Sequence, residues 1–192
     1  MRRVNPMELP ELTRDHFEIL AVRELRKVAL DVADVRTHRR TELAEPARGY
    51  LVELAASLGR GEWRRRALIA CRRQDGAIGR GEIESLDEHV READADVGIA
   101  FAAAECAPEA LAAAEELGVA LLRVVDGRTA FDAGGWGAGA HYPAWLPAYV
   151  AQAVERDPAG GWRYRTLEPG QAESIIGRWK KVEESGGDQR HA

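Results

Sequence analysis

The chain has 192 residues, 45% hydrophobic and 31% charged, with a formal net charge of −5. That is long enough for one domain of about 150 residues with a tail and a real core, and the acidic balance argues against a protein coated in phosphate contacts. No apolar run approaches the roughly 20 residues that cross a bilayer, so no membrane contact is expected. The basic start Met1 to Pro6 has no apolar core behind it, so no secretory signal is expected either. Cys71 and Cys106 lie in no metal-type pair; they read as small core residues of a protein from the reducing cytoplasm.

Thr13 is a good N-cap, and the spacing predicts a helix from there to about Val32. Phe17, Ala21, Val22, Leu25, Val28, Ala29 and Val32 fall on one stripe. Glu18 falls in the middle of it, and a carboxylate on an apolar face needs a partner or a task. Residues 36–48 are polar without a clear period and read as a loop or an irregular edge. Tyr50 to Leu58 alternates, with Tyr50, Val52, Leu54, Ala56 and Leu58 on one face and Leu51, Glu53, Ala55 and Ser57 on the other. After the turn Gly59 to Glu62, residues 65–72 form a second strand, which makes 50–72 an antiparallel hairpin.

The turn Gln74-Asp75-Gly76 leads to an amphipathic helix at 81–93, with Ile83, Leu86, Val90 and Ala93 inward. Val97 to Ala102 is a short strand. Pro108 to Leu117 is an alanine-rich helix, with Pro108 in its first turn and Gly118 as its stop. Val119 to Val125 is an apolar strand, and strand–helix–strand at this length implies a parallel βαβ unit. Beyond Phe131, the Gly/Ala-rich stretch around Trp136 and the segment His141 to Pro147 are followed by a short helix to about Arg156. Asp157 to Gly161 is a linker, and 171–184 reads as a last helix with Ile175, Ile176, Trp179 and Val182 inward. The residues from Ser185 on read as disordered.

Charge is unevenly spread. Between Arg60 and Arg80 stand seven arginines against Glu62 and Asp75; between Gly81 and Gly118 stand eleven carboxylates against Arg91. Such a basic cluster can touch a polyanion on an otherwise acidic protein, or it can be a solvated turn. The five histidines are scattered, with no zinc spacing, and read as surface or locally hydrogen-bonded groups. Gly134 to Gly139 lacks the Lys-Ser/Thr of a phosphate loop, and no Gly-x-Ser-x-Gly elbow is present. Trp136, Trp145, Trp162 and Trp179 read as packing for a C-terminal extension.

The order helix, hairpin, helix, strand, helix, strand resembles the restriction-endonuclease-like fold, and within it the Mrr-type restriction endonuclease domain. The likeness rests on four stretches over roughly residues 12–128. They are Leu12 to Glu18 with its Phe-Glu pair, Gly49 to Leu54, Leu68-Ile69-Ala70-Cys71-Arg72-Arg73 against a strand that usually reads (Glu/Gln)-Cys-Lys-Arg, and Gly98 to Leu122. The resemblance implies an α/β three-layer fold, with a central mixed sheet (antiparallel hairpin plus parallel βαβ) flanked by helices. It implies a division into an endonuclease-like domain at 1–128, a Gly/Trp-rich extension packed on it at 129–156, and a linker with a partly disordered C-terminal helix and tail at 157–192.

The family's chemistry is metal-dependent phosphodiester hydrolysis, in which the divalent ion stabilises the transition state and activates water. Carried over by position, Glu53 is the first acid and metal ligand, and Glu18 is the helix Glu. Ala70 stands where the second acid belongs, and Arg72 where the lysine belongs. Alanine ligates nothing, and arginine cannot act as a base, although it can grip a phosphate. Glu82, Glu84 and Asp75 are candidates for a relocated acid. The expected catalytic set is therefore Glu18, Glu53 and Arg72, with Mg2+ if the site is active. The expected DNA contacts are Arg64, Arg65, Arg66 and Arg73. The partners implied are DNA, a second copy of the chain, or another protein. The alternative is a non-catalytic α/β protein-interaction module.

Overall fold

The computed structural model describes residues 11–133, 142–143, 145–177 and 179. The Gly-rich stretch with Trp136, His141, Val182 and the tail from Ser185 lie outside them. Helix α1 (Arg14–Lys27) opens the chain, and the Thr13 side chain accepts the His16 N–H at 3.3 Å. Strands β1 (Asp31–Leu43), β2 (Gly49–Arg60) and β3 (Trp63–Gln74) form an antiparallel meander. Helix α2 (Arg80–Glu92), strand β4 (Val97–Ala103), helix α3 (Pro108–Leu117) and strand β5 (Ala120–Asp126) follow, with β3, β4 and β5 parallel. A short helix α4 (Gly127–Ala133) leads to antiparallel strands β6 (Tyr149–Arg156) and β7 (Trp162–Thr166). One seven-stranded mixed sheet results, in the order β1 to β7.

Three expectations change. Helix α1 stops at Lys27 rather than Val32, because Ala29 takes a left-handed conformation (φ 67°) and its N–H turns back to the Arg26 carbonyl. Residues 36–43 belong to a strand. It is the irregular edge of the sheet, with register shifts after Ala33 and Thr37 and little but Val32 buried, so no period of two is visible. Residues 149–156 are also a strand and not a helix. Val150, Ala151, Ala153 and Val154 are buried on both faces, and that continuous apolar run hides the alternation.

The sheet separates two cores. On one side α1 packs Phe17, Leu20 and Leu25 against Val52, Leu54, Cys71, Phe101 and Leu122, joined by Ile175, Ile176 and Trp179. On the other side α2 and α3 pack Ile83, Leu86 and Leu111 against Leu51, Leu68, Ala70, Ala100 and Leu121. Strand β2 follows its predicted alternation: Tyr50, Val52, Leu54, Ala56 and Leu58 all join the α1 side. Each large side chain buried this way contributes about 1.5–3 kcal/mol. Helix α3 has its predicted ends, with Pro108 first and Gly118 left-handed at φ 70°. The helix expected at 171–184 is seen over 173–177, and Trp179 stacks on Trp63 with ring centroids 5.6 Å apart. No helix among the described residues is long and apolar enough to cross a membrane.

Candidate functional site

Register decides what faces what. Glu53 on β2 lies directly across from Ala70 on β3, and Leu51 lies across from Arg72. Side chains two apart share a face, so Glu53, Ala70 and Arg72 all point to the α2 side. There they line one cavity of about 20 Å³ with Glu82, Leu86 and His89 of α2. The positional pairing carried over from the family, Glu53 against Ala70 with Arg72 two residues on, is thus present as geometry.

Glu53 is fully buried. Its Oε1 accepts the His89 Nδ1–H at 2.6 Å, and Arg39 Nε lies 3.6 Å from Oε2. Oε2 has no hydrogen-bond partner among the described residues. Arg39, on the edge strand, also reaches His89 Nε2 at 2.6 Å, so that nitrogen is the acceptor and Nδ1 carries the proton. Arg72 donates from Nε to Gln74 Oε1 at 2.5 Å and lies 3.5 Å from Glu82 Oε1. Burial pulls the Arg72 guanidinium below its usual range, and Glu82 offsets this in part. Glu82 is itself engaged, since its Oε2 accepts the Gly79 N–H at 2.9 Å and caps α2. Glu84 pairs with Arg80 at 2.6 Å on the exposed side of α2.

Glu18 does not join this group. It accepts from Arg40 at 2.6 Å, and Arg40 pairs with Val52, a residue of the α1 core. The sheet therefore lies between Glu18 and Glu53. The deeply buried carboxylate of α1 is Glu24, 1% exposed, which takes Lys27 at 2.6 Å, Arg23 at 3.1 Å and the Ala151 N–H at 3.3 Å. It ties α1 to β6. The spacing Phe17, Leu20, Ala21, Glu24, Leu25 contains this signal, which a stripe centred one step away misses.

The arginines split into two groups. Arg64, Arg65 and Arg66 sit at the hairpin end of β3, whereas Arg72 and Arg73 sit at its far end. Seven residues at about 3.3 Å each separate Arg65 from Arg72 by roughly 23 Å. Arg64 pairs with Asp31 at 2.7 Å, and Arg66 with Asp94 and with Asp96, the latter at 3.3 Å. Hydrogen bonds that Arg66 donates to the Asp94 and Asp96 carboxylates raise its pKa. Arg65 lies over the Trp63 ring at 5.6 Å. Arg73 donates to the Leu12 carbonyl at 3.2 Å and lies 3.7 Å from Glu11.

The residues present do not suit Mg2+. This ion keeps a near-octahedral shell with several waters, but the cavity has room for about one water. It offers Glu53 Oε2, which accepts no hydrogen bond but faces Arg39 at 3.6 Å, with alanine opposite. Among the described residues no group of three or more His, Cys, Asp or Glu is placed to hold a metal ion. Arg39, Gln74, His89 and Glu92 are the participants that sequence reasoning missed. Gln74 was within reach of it, two residues beyond Arg72 on the same strand face. His89 looked like one scattered histidine among five.

The thiols are inert. Cys71 and Cys106 are both buried and unpaired. Burial pushes the Cys71 thiol far above its usual range and that of Cys106 up to about 11.

The family model for the Mrr catalytic domain, described as a restriction endonuclease, matches residues 9–130, more than half of the chain. No curated protein and no solved structure matches it.

Proposed function

From the premise that the chain belongs to the Mrr-type restriction endonuclease family, we propose that it binds DNA and that its metal-dependent hydrolysis is lost. The observation that carries the second half is the residue facing Glu53. Where a second metal ligand is needed there is Ala70, and the neighbouring cation is an arginine tied to Gln74 and Glu82. A phosphodiester placed there meets positive charge, while the other ligating groups of the cavity, His89 and Glu82, are already engaged by Arg39 and Glu53 and by the Gly79 N–H and Arg72. Arg72 at the site, Arg73 on the opposite face of the same strand end, and Arg64 to Arg66 at the hairpin are the proposed DNA contacts. The ion pairs on Arg64 and Arg66 are exposed, and such pairs stabilise little, so a phosphate can replace the carboxylate. A reducing cytoplasm and a homodimer belong to the same reading.

Two measurements test it. Fluorescence anisotropy with duplex DNA across a salt series is expected to show salt-sensitive binding. Neutralising Arg64, Arg65 and Arg66 together should lower the slope of log K against log salt by about 2–3. Supercoiled plasmid incubated with Mg2+ or Mn2+ is expected to stay intact. Nicking that disappears in Glu53→Ala would restore the catalytic reading; absence of DNA binding at moderate salt would point to the protein-interaction module.

A further inference from the structure

At the carboxyl end of β3, Arg72 and Gln74 stand two residues apart and so share the α2 face of the sheet. Gln74 is 9% exposed, and its amide is held at both ends. Its Nε2 donates to the Ala77 carbonyl at 3.0 Å. A carbonyl can only accept, so this bond fixes the amide orientation and leaves Oε1 to meet Arg72 Nε at 2.5 Å. The turn that supplies the Ala77 carbonyl is itself fastened. The Asp75 N–H donates to the Ala47 carbonyl at 2.9 Å, the Ile78 N–H to the Glu105 carbonyl at 2.8 Å, and the Ala107 N–H to the Ile78 carbonyl at 2.9 Å. Backbone on two sides therefore holds the residue that holds Arg72.

A guanidinium has two donor edges. Along the inner edge of Arg72, Nε meets Gln74 and Nη2 lies 3.5 Å from Glu82 Oε1. The outer edge consists of Nη1 and the second proton of Nη2, and Nη1 has no hydrogen-bond partner among the described residues. The side chain is 18% exposed, so an anion can meet this edge without entering the cavity, which has room for about one water. Two parallel N–H groups match two oxygens of a phosphate. An arginine loses rotamer freedom when it grips one, and a side chain already clamped at Nε loses less. We propose that Gln74 is a positioning residue, which aims the outer edge of Arg72 at a backbone phosphate of DNA. The inference deepens the DNA-binding reading and rests on it. An apolar side chain would fill the same buried space; what the amide adds is an acceptor at Nε.

The test is fluorescence anisotropy of the full chain on duplex DNA across a salt series. Arg72→Gln is expected to lower the slope of log K against log salt by about 1, the loss of one phosphate contact. Gln74→Met keeps the length and removes the acceptor, and it is expected to lower the slope by the same amount although no charge has been removed. The double variant should fall no further than either single one. A purely structural role for Gln74 would lower stability and leave the slope of the folded protein unchanged. The wild type gives a second measurement that needs no folded variant at position 74. In heteronuclear NMR the Arg72 Nε–H, assigned by its loss in Arg72→Lys, should exchange slowly before DNA is added. Saturating duplex should then shift the Arg72 Nη resonances and leave the Nε resonance in place. An unchanged slope in a folded Gln74→Met, a double variant that falls by the sum of both, or Nη resonances that ignore saturating DNA would each overturn the inference while the DNA-binding reading stands. A wild type with no affinity for DNA at moderate salt overturns that reading itself, and the inference with it.

Discussion

Removing either member of the Arg39–Glu53 pair should have very unequal consequences. Glu53 is fully buried, whereas the Arg39 side chain is 38% exposed and also pairs with Glu92. Arg39→Ala leaves a carboxylate in the low-dielectric interior with the His89 N–H as its remaining polar partner. Breaking a buried pair in this way costs about 3–5 kcal/mol. The exposure of Arg39 and the 3.6 Å separation reduce this, so a loss of about 2 kcal/mol is expected. Glu53→Gln keeps the shape and still accepts the His89 N–H. It leaves Arg39 able to turn to solvent and Glu92, so its cost should stay below about 1 kcal/mol. Urea unfolding monitored by circular dichroism separates the two through the midpoint at constant m. The double variant should then be more stable than Arg39→Ala alone, because the stranded charge is gone. If Glu53→Gln costs as much as Arg39→Ala, or the double variant costs the sum of both, the pair is not coupled and the argument from burial fails.

Further outcomes concern the scaffold. Phe17→Ala should cost about 3–5 kcal/mol in the same urea assay, because Phe17 is fully buried between α1 and the sheet. Gly49→Ala should lower stability by more than about 2 kcal/mol, since Gly49 has φ +144° and an added Cβ would lie 2.0 Å from the Arg73 carbonyl oxygen. The hydrogen bond from Arg165, the largest effect, holds the Glu155 carboxyl below its usual range; burial opposes it, and the Arg165 charge and Arg163 reinforce it. Its stabilisation is therefore present above the ordinary Glu pKa of about 4.3 and is lost as pH falls through the lower folded value. The wild type should be more stable than Glu155→Gln at pH 6, and thermal melts should show the gap closing towards pH 3.

Much of the fold was legible where one physical rule acted alone. The β2–β3 hairpin shows its alternation because each strand divides its side chains between two cores. Helix α3 shows both ends because proline and glycine act locally there. Strand β1 was hidden because an edge strand with two register shifts has no buried face to impose a period. Strand β6 was hidden because alanines and valines buried on both faces look the same as a helix segment. The site followed the same division. Glu53 and Arg72 could be found by position on readable strands. Arg39 could not, because it lies in the segment read as a loop or irregular edge, and its meaning depends on a strand pairing with no local trace. Glu18 and Glu24 differ by less than two helical turns, so a small error in the direction of the buried stripe was enough to choose the wrong carboxylate.

The two cysteines lie on opposite sides of the sheet, Cys71 in the α1 core and Cys106 in the α2–α3 core. Cys71 is fully buried and Cys106 is 9% exposed, so alkylation of each is slowed while its own layer stays closed. Each is therefore a natural stopwatch for one half of the molecule. If both thiols react with a labelling reagent at one common rate, the layers open together as a single cooperative unit. If they react at two rates, the sheet can shed the helices of one side while holding those of the other.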